Sequence, residues 1–193
     1  MRSLIVVLPL LVLAGCAAKP TKINNVCAVF DQKDGLFGGW YSSAKSAERE
    51  YGVPAAVLMA TIRVESGFNG TARPPRKELL GFIPWKRQSS AYGYSQALDG
   101  TWDRYKRETG RFAARRNDFS DAVHFVGWYH RTSHEKSGIA LNDTFSLYLA
   151  YYLGHRGYER GGWRSDAGLK KIAQKAATMA ANYQAQMRQC GRT

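Results

Sequence analysis

Acidic residues are scarce in this chain. Fifteen Asp and Glu stand against 28 Lys and Arg, a formal charge of +13. That imbalance turns the surface toward polyanions: nucleic acid, anionic lipid or an acidic wall polymer. Cysteine is scarce as well, and three in 193 residues cannot make a disulfide-dense miniprotein. The 19 glycines follow no fixed period, which excludes a collagen-like chain, and no internal repeat marks a solenoid or propeller. Strict apolar–polar alternation is almost missing, which argues against a sandwich or barrel. The apolar run from Leu4 to Leu13 is short, well below the ~20 residues that span a bilayer as a helix. What remains is ordinary globular material, 45% hydrophobic and 22% charged, enough to close a core and to exclude wholesale disorder.

Arg2 precedes that apolar run, and the run ends Leu13-Ala14-Gly15-Cys16. The size fits a secretory signal, and the ending resembles the lipobox of bacterial lipoproteins. The resemblance implies that residues 1–15 are removed, that Cys16 is lipidated, and that residues 16–26 form a tether. Ala17 after the Cys implies the outer membrane, with the domain facing the periplasm, and export excludes nucleic acid as a partner. An ordinary signal peptide with a chance cysteine is the plain alternative. In an oxidising compartment Cys27 and Cys190, near the two ends of the domain at 27–193, are expected to pair, because termini often lie together; two free thiols are the alternative.

From Ser43 onward the pattern is a succession of helices. Ser42-Ser43 supplies capping hydroxyls for a segment to Tyr51. Pro54 suits the first turn of the next helix, with Val57, Leu58, Thr61, Ile62 and Glu65 at helical spacing and Gly67 as its stop. Asp99 or Thr101, Ser120, and Asn142 or Asp143 open three more. The last is the longest, with Leu169, Ile172, Ala173, Ala176, Ala180, Tyr183 and Met187 on one face. Arg73 to Gln88 differs. It holds five cations against Glu78, and its prolines and Gly81 preclude a long helix. An irregular basic loop is expected there, with room for a small hairpin between Thr71 and Ser95. The fold class is therefore mainly α, one helical domain.

Glu65 is the candidate for chemistry. It shares a face with Leu58 and Ile62 and sits in a last helical turn. Burial and the negative end of the helix dipole both disfavour its ionised form, the condition a general acid needs at neutral pH. An exposed boundary glutamate is the alternative. GVPAAVLMATIRVESGFN, around Glu65-Ser66, resembles the catalytic helix of the soluble-lytic-transglycosylase-like members of the lysozyme superfamily. AYGYSQALDGTW resembles that family's Gly-Leu-Met-Gln block through Gly93 and Gln96, with Tyr94 and Ser95 in the middle. LAYYLGHRGY resembles its Ala-Tyr-Asn block through Ala150 and Tyr151, with Tyr152 in the Asn position.

The resemblance implies an α+β lysozyme-like fold and a peptidoglycan lytic transglycosylase. Glu65 would be its single acid/base. Ser66, Gly93, Tyr94, Ser95, Gln96, Tyr151 and Tyr152 would line the glycan groove, with the Tyr151 hydroxyl set against Glu65. No metal or cofactor is implied. Envelope or secretion-assembly partners are compatible with it. A hydrolytic muramidase and a wall-binding protein without turnover are the two competing functions. His130 and His134, followed by Glu135, lack the HExxH order of a zinc site, and His155 follows the tyrosine block as a polar loop residue.

Overall fold

The computed structural model describes residues 19–34, 38–79 and 83–192, with 76–79 and 83–87 described through their backbone. Residues 1–15, Cys16, Ala17 and Gly81 lie outside the described residues. The chain is mainly helical. Its eight described α-helices are α1 (Val26–Phe30), α2 (Trp40–Tyr51), α3 (Ala55–Ser66), α4 (Asp99–Thr109), α5 (Phe119–Ser137), α6 (Thr144–Leu153), α7 (His155–Glu159) and α8 (Ala167–Gln189). Two small antiparallel ribbons complete it: β1 (Lys33–Asp34) with β2 (Gly38–Gly39), and β3 (Arg76–Leu79) with β4 (Ile83–Arg87). No described helix is long and apolar enough to cross a membrane.

Helix α3 is the axis of the fold. Every residue from Ala55 to Ile62 is buried, and a helix that is apolar all round has to be enclosed on all sides. Helices α2, α5 and α8 enclose it, and α6 packs on α8. The α8 face is small where it meets the core: Ala173, Ala176 and Ala180 alternate with the larger Leu169, Tyr183 and Met187. Ile172, expected on that face, is instead 39% exposed, because Ala173 beside it takes the inward position. Aromatic rings fill the other side. Trp40 stacks on Phe119 at 3.9 Å between centroids, and Trp102, Tyr105, Phe125 and Trp128 form a second cluster.

Helix starts differ from the expected ones by one to three residues. Helix α2 begins at Trp40, and Ser42 acts from its third position by accepting from Gly39 N–H at 3.2 Å. Pro54 is the N-cap of α3 rather than its first residue. Asp118, not Ser120, caps α5 through a 3.0 Å bond from Asp121 N–H. The start of α6 agrees with expectation: Asp143 caps it, accepting from Ser146 N–H. Gly52, Gly67, Gly110 and Gly138 end α2, α3, α4 and α5 in the left-handed conformation.

The basic stretch is not wholly irregular. Residues 76–87 carry a two-stranded ribbon in which Arg76 faces Arg87 and Leu79 faces Ile83, with an irregularity after Arg76. Cys27 and Cys190 are joined by a disulfide. Val26 N–H donates to Gln186 Oε1 at 2.8 Å, the Gln186 amide donates to Asn24 O, and Arg192 pairs with Asp31 at 2.8 Å. The start and end of the domain are thereby clasped together.

Candidate active site

Glu65 lies in the last turn of α3, one residue before the helix stops. Its carboxyl oxygen Oε1 is buried and has no hydrogen-bond partner among the described residues. Burial raises its pKa to about 7, and the Tyr148 hydroxyl, a donor to the carboxyl, holds it from rising further. No second carboxylate of the described residues adds to that shift. The chain beyond Glu65 is tightly wound. Gly67 and Phe68 both have positive φ, 58° and 61°, and a bulky residue adopts that conformation only where its surroundings force it. Phe68 is fully buried against Trp40, which supplies that force. Its burial holds the end of α3, and so Glu65, in one position.

Helix α6 supplies the facing wall. Tyr148 and Tyr151 are three residues apart and so share a face. The structure corrects the expectation for Tyr151. Its hydroxyl donates to the Ser95 carbonyl at 2.5 Å, while Tyr148 reaches Glu65. Tyr151 remains near enough for the Glu65 charge to add to the burial that raises its own pKa. Its ring packs on Tyr129, His130 and Phe125. Tyr152 points outward, 59% exposed, one residue along from the pair.

The loop at 93–96 closes the site. Gly93 has φ 77°, and a Cβ there would sit 2.0 Å from the Arg116 carbonyl oxygen. Only glycine permits that approach. Gly93 N–H donates to Ala72 O at 3.0 Å, and Tyr94 N–H to Arg116 O at 3.1 Å. The Gln96 amide nitrogen is spent within the loop, on Ala72 O at 3.0 Å and Gly93 O at 2.8 Å. Gln96, expected to line the glycan groove, braces the loop through that nitrogen. Tyr94, expected in the groove, is 4% exposed and packs edge-on to Trp40 and Phe119; it belongs to the core because Gly70 leaves room for its ring. Ser95 is fully buried, and its Oγ has no partner among the described residues. The Ser66 hydroxyl donates back to Ile62 O at 3.3 Å. Thus Glu65, Tyr148, Tyr151 and Ser95 come together, Gly93 and Gln96 support them, Tyr152 lies at the rim, and Tyr94 and Ser66 point elsewhere.

Tyr148 is the residue the sequence reading missed. The three-residue spacing from Tyr151 was its only signal. The histidines are structural. His130 is fully buried with Nε2 at 2.9 Å from Thr61 Oγ1, and burial drops its pKa to about 3. His134 Nδ1 bonds to Ile139 O, and His155 Nε2 to Ser133 Oγ. No group of three metal-ligating residues forms among the described residues. Two surface concavities, of about 590 and 350 Å³, are lined by other residues than Glu65.

The arrangement is suited to proton transfer by one carboxyl: half ionised near neutral pH, with one oxygen free and a phenol fixing the other side. No curated protein sequence matches the chain. The family model described as a transglycosylase SLT domain matches residues 4–190, and the chain belongs to that family, the lytic transglycosylases.

Proposed function

We propose that this chain is a peptidoglycan lytic transglycosylase that cleaves the MurNAc-β-1,4-GlcNAc bond with Glu65 as its single acid/base. The observation that carries the reading is the Glu65 carboxyl, buried and with a pKa of about 7, its Oε1 unpartnered and no second carboxylate acting on it among the described residues. Glycosidases that retain or invert through a protein nucleophile or base use two carboxyl groups, ~5–5.5 or ~6.5–9.5 Å apart. A lone carboxyl calls for assistance from the substrate.

Protonated Glu65 donates to the glycosidic oxygen as the C1–O bond of MurNAc breaks, and GlcNAc leaves as an alcohol. The N-acetyl oxygen of the same MurNAc bonds to C1. Glu65, now a carboxylate, takes the proton of the C6 hydroxyl. That oxygen bonds to C1 and expels the acetamido oxygen, giving a 1,6-anhydromuramyl end and restoring the acid. Tyr148 orients the carboxyl in both states. Tyr152 bounds the space where the sugars lie, and buried Ser95 anchors Tyr151 behind it. No cofactor enters this scheme.

The same reading places the protein in the outer membrane, lipidated on Cys16 after removal of residues 1–15, with 16–26 as tether and 27–193 as the catalytic domain facing periplasmic peptidoglycan. Digesting sacculi with the purified protein and weighing the released fragments tests the reaction. Fragments lighter by one water than reducing muropeptides support it. Reducing ends indicate a hydrolytic muramidase instead, and no release leaves a wall-binding protein.

A further inference from the structure

Resting on the reading above, we propose that Arg73, stacked on Tyr92, is a subsite for a carboxylate of the peptidoglycan stem peptide. The Arg73 guanidinium lies 4.0 Å from the centre of the Tyr92 ring. Stacking of this kind orients the planar guanidinium and leaves its N–H fork free at the edge. Arg73 is exposed, and no ion pair of the described residues includes it.

The second cation on that ring behaves differently. Arg116, 5.4 Å from the same centroid, is committed to Asp99 at 2.7 Å and to the carbonyls of Ser90 and Ala97. Arg116 therefore fixes the platform, and Arg73 is the cation left over for a ligand.

The platform belongs to the catalytic loop. Tyr92 bridges to Ala97 across the 93–96 turn, and Ala72, next to Arg73, accepts from both Gly93 N–H and the Gln96 amide. Two turns link it to the acid, Asn69 N–H to Ser66 O and Ala72 N–H to Asn69 O. Each such turn keeps its ends within ~7 Å, so Ala72 lies no more than about 14 Å from Ser66. An extended peptide covers that distance in roughly four residues at ~3.3–3.6 Å each. A stem peptide leaves the muramyl lactyl group beside the scissile bond and carries free carboxylates within that reach. Guanidinium and carboxylate then meet as a forked, charge-assisted pair.

The test compares two glycan substrates: peptide-bearing strands, and the same strands stripped of peptide by an amidase. For Arg73→Gln we expect KM on peptide-bearing strands to rise roughly three- to fivefold, the range of a partly exposed ion pair. Its kcat should hold, and its kinetics on stripped strands should match the unsubstituted protein. Tyr92→Leu should shift KM in the same direction, since it removes the stack and leaves the cation. Arg73→Lys should recover only part of the loss. Equal effects of Arg73→Gln on both substrates, or none on either, overturn the proposal. If neither substrate is cleaved, the catalytic reading fails. Cosedimentation of the two strand types with the unsubstituted protein and Arg73→Gln still decides the subsite: a preference for peptide-bearing strands that Arg73→Gln abolishes supports it, and equal binding overturns it.

Discussion

The pKa of Glu65 fixes how its ionisation weighs on the fold. Unfolded, it gives up its proton near pH 4.5; folded, it holds it to about 7. Between those values the unfolded chain binds fewer protons, so stability falls as pH rises and levels off above 7. His130 acts in the opposite sense. Its folded value of about 3, against 6.5 unfolded, removes stability as pH falls from 6.5 toward 3. The two slopes offset one another between pH 4.5 and 6.5. Glu65→Gln should therefore melt higher than the unsubstituted protein at pH 8, with the gain vanishing at pH 4. A lower melting temperature at pH 8 would contradict the buried-acid description. Its turnover should drop ~10²–10⁴-fold, the range of a positioned proton donor. Tyr148→Phe removes a donor that lowers the Glu65 pKa, so the alkaline limb of kcat/KM against pH should move upward. An unmoved limb would show that Tyr148 does not hold the acid. At this scale the sequence carried Glu65, because its place in the last turn follows from helical spacing alone. It did not separate Tyr148 from Tyr151, which share a face. Which of them meets the acid depends on how α6 is rotated against its neighbours.

Helices announce themselves by their bodies and conceal their starts. The apolar spacing of α3, α5, α6 and α8 was readable, while Asp118 capped α5 where Ser120 was expected. Two oxygen-bearing residues two positions apart present the same local signal, and the chain's path into the helix decides between them. Asp118→Ala should cost about 1 kcal/mol in chemical denaturation. The 93–96 loop was harder to read. Gly93 and Gln96 stood out in the sequence, but their work is architectural: a close approach to Arg116 O and two bonds that hold the loop to Ala72 and Gly93. A Cβ at Gly93 meets backbone that cannot give way, and φ there is 77°. Gly93→Ala should destabilise by about 3 kcal/mol or more and lower activity with it. A variant that melts normally would mean the loop has another arrangement. The ribbon at 76–87 lies where the sequence indicates an irregular loop with room for a small hairpin, since prolines exclude a long helix without specifying strand.

Over the molecule as a whole, the disulfide ties residues 163 apart. In the chain-entropy picture a loop of that size is worth about 4–5 kcal/mol. Reduction should lower the melting temperature by roughly 10–20 °C for a domain of this length. The bonds of Gln186, Arg192 and Tyr183 to the first helix and its approach persist without it and should keep the reduced protein folded at room temperature. Finding both thiols alkylated in oxidised material would remove this prediction. The clasp also sets a path for force. A pull on the chain ahead of Cys27 passes through the sulfur bridge into the C-terminal end of α8. There the long seam of α8 with α3 and α6 resists it along its length, and α1 is not peeled off turn by turn. The same segment also touches the end of α3, with Arg63 donating to Asn24 Oδ1 at 2.9 Å and Ile23 lying beside Gly67, so part of the load reaches the turn that carries Glu65.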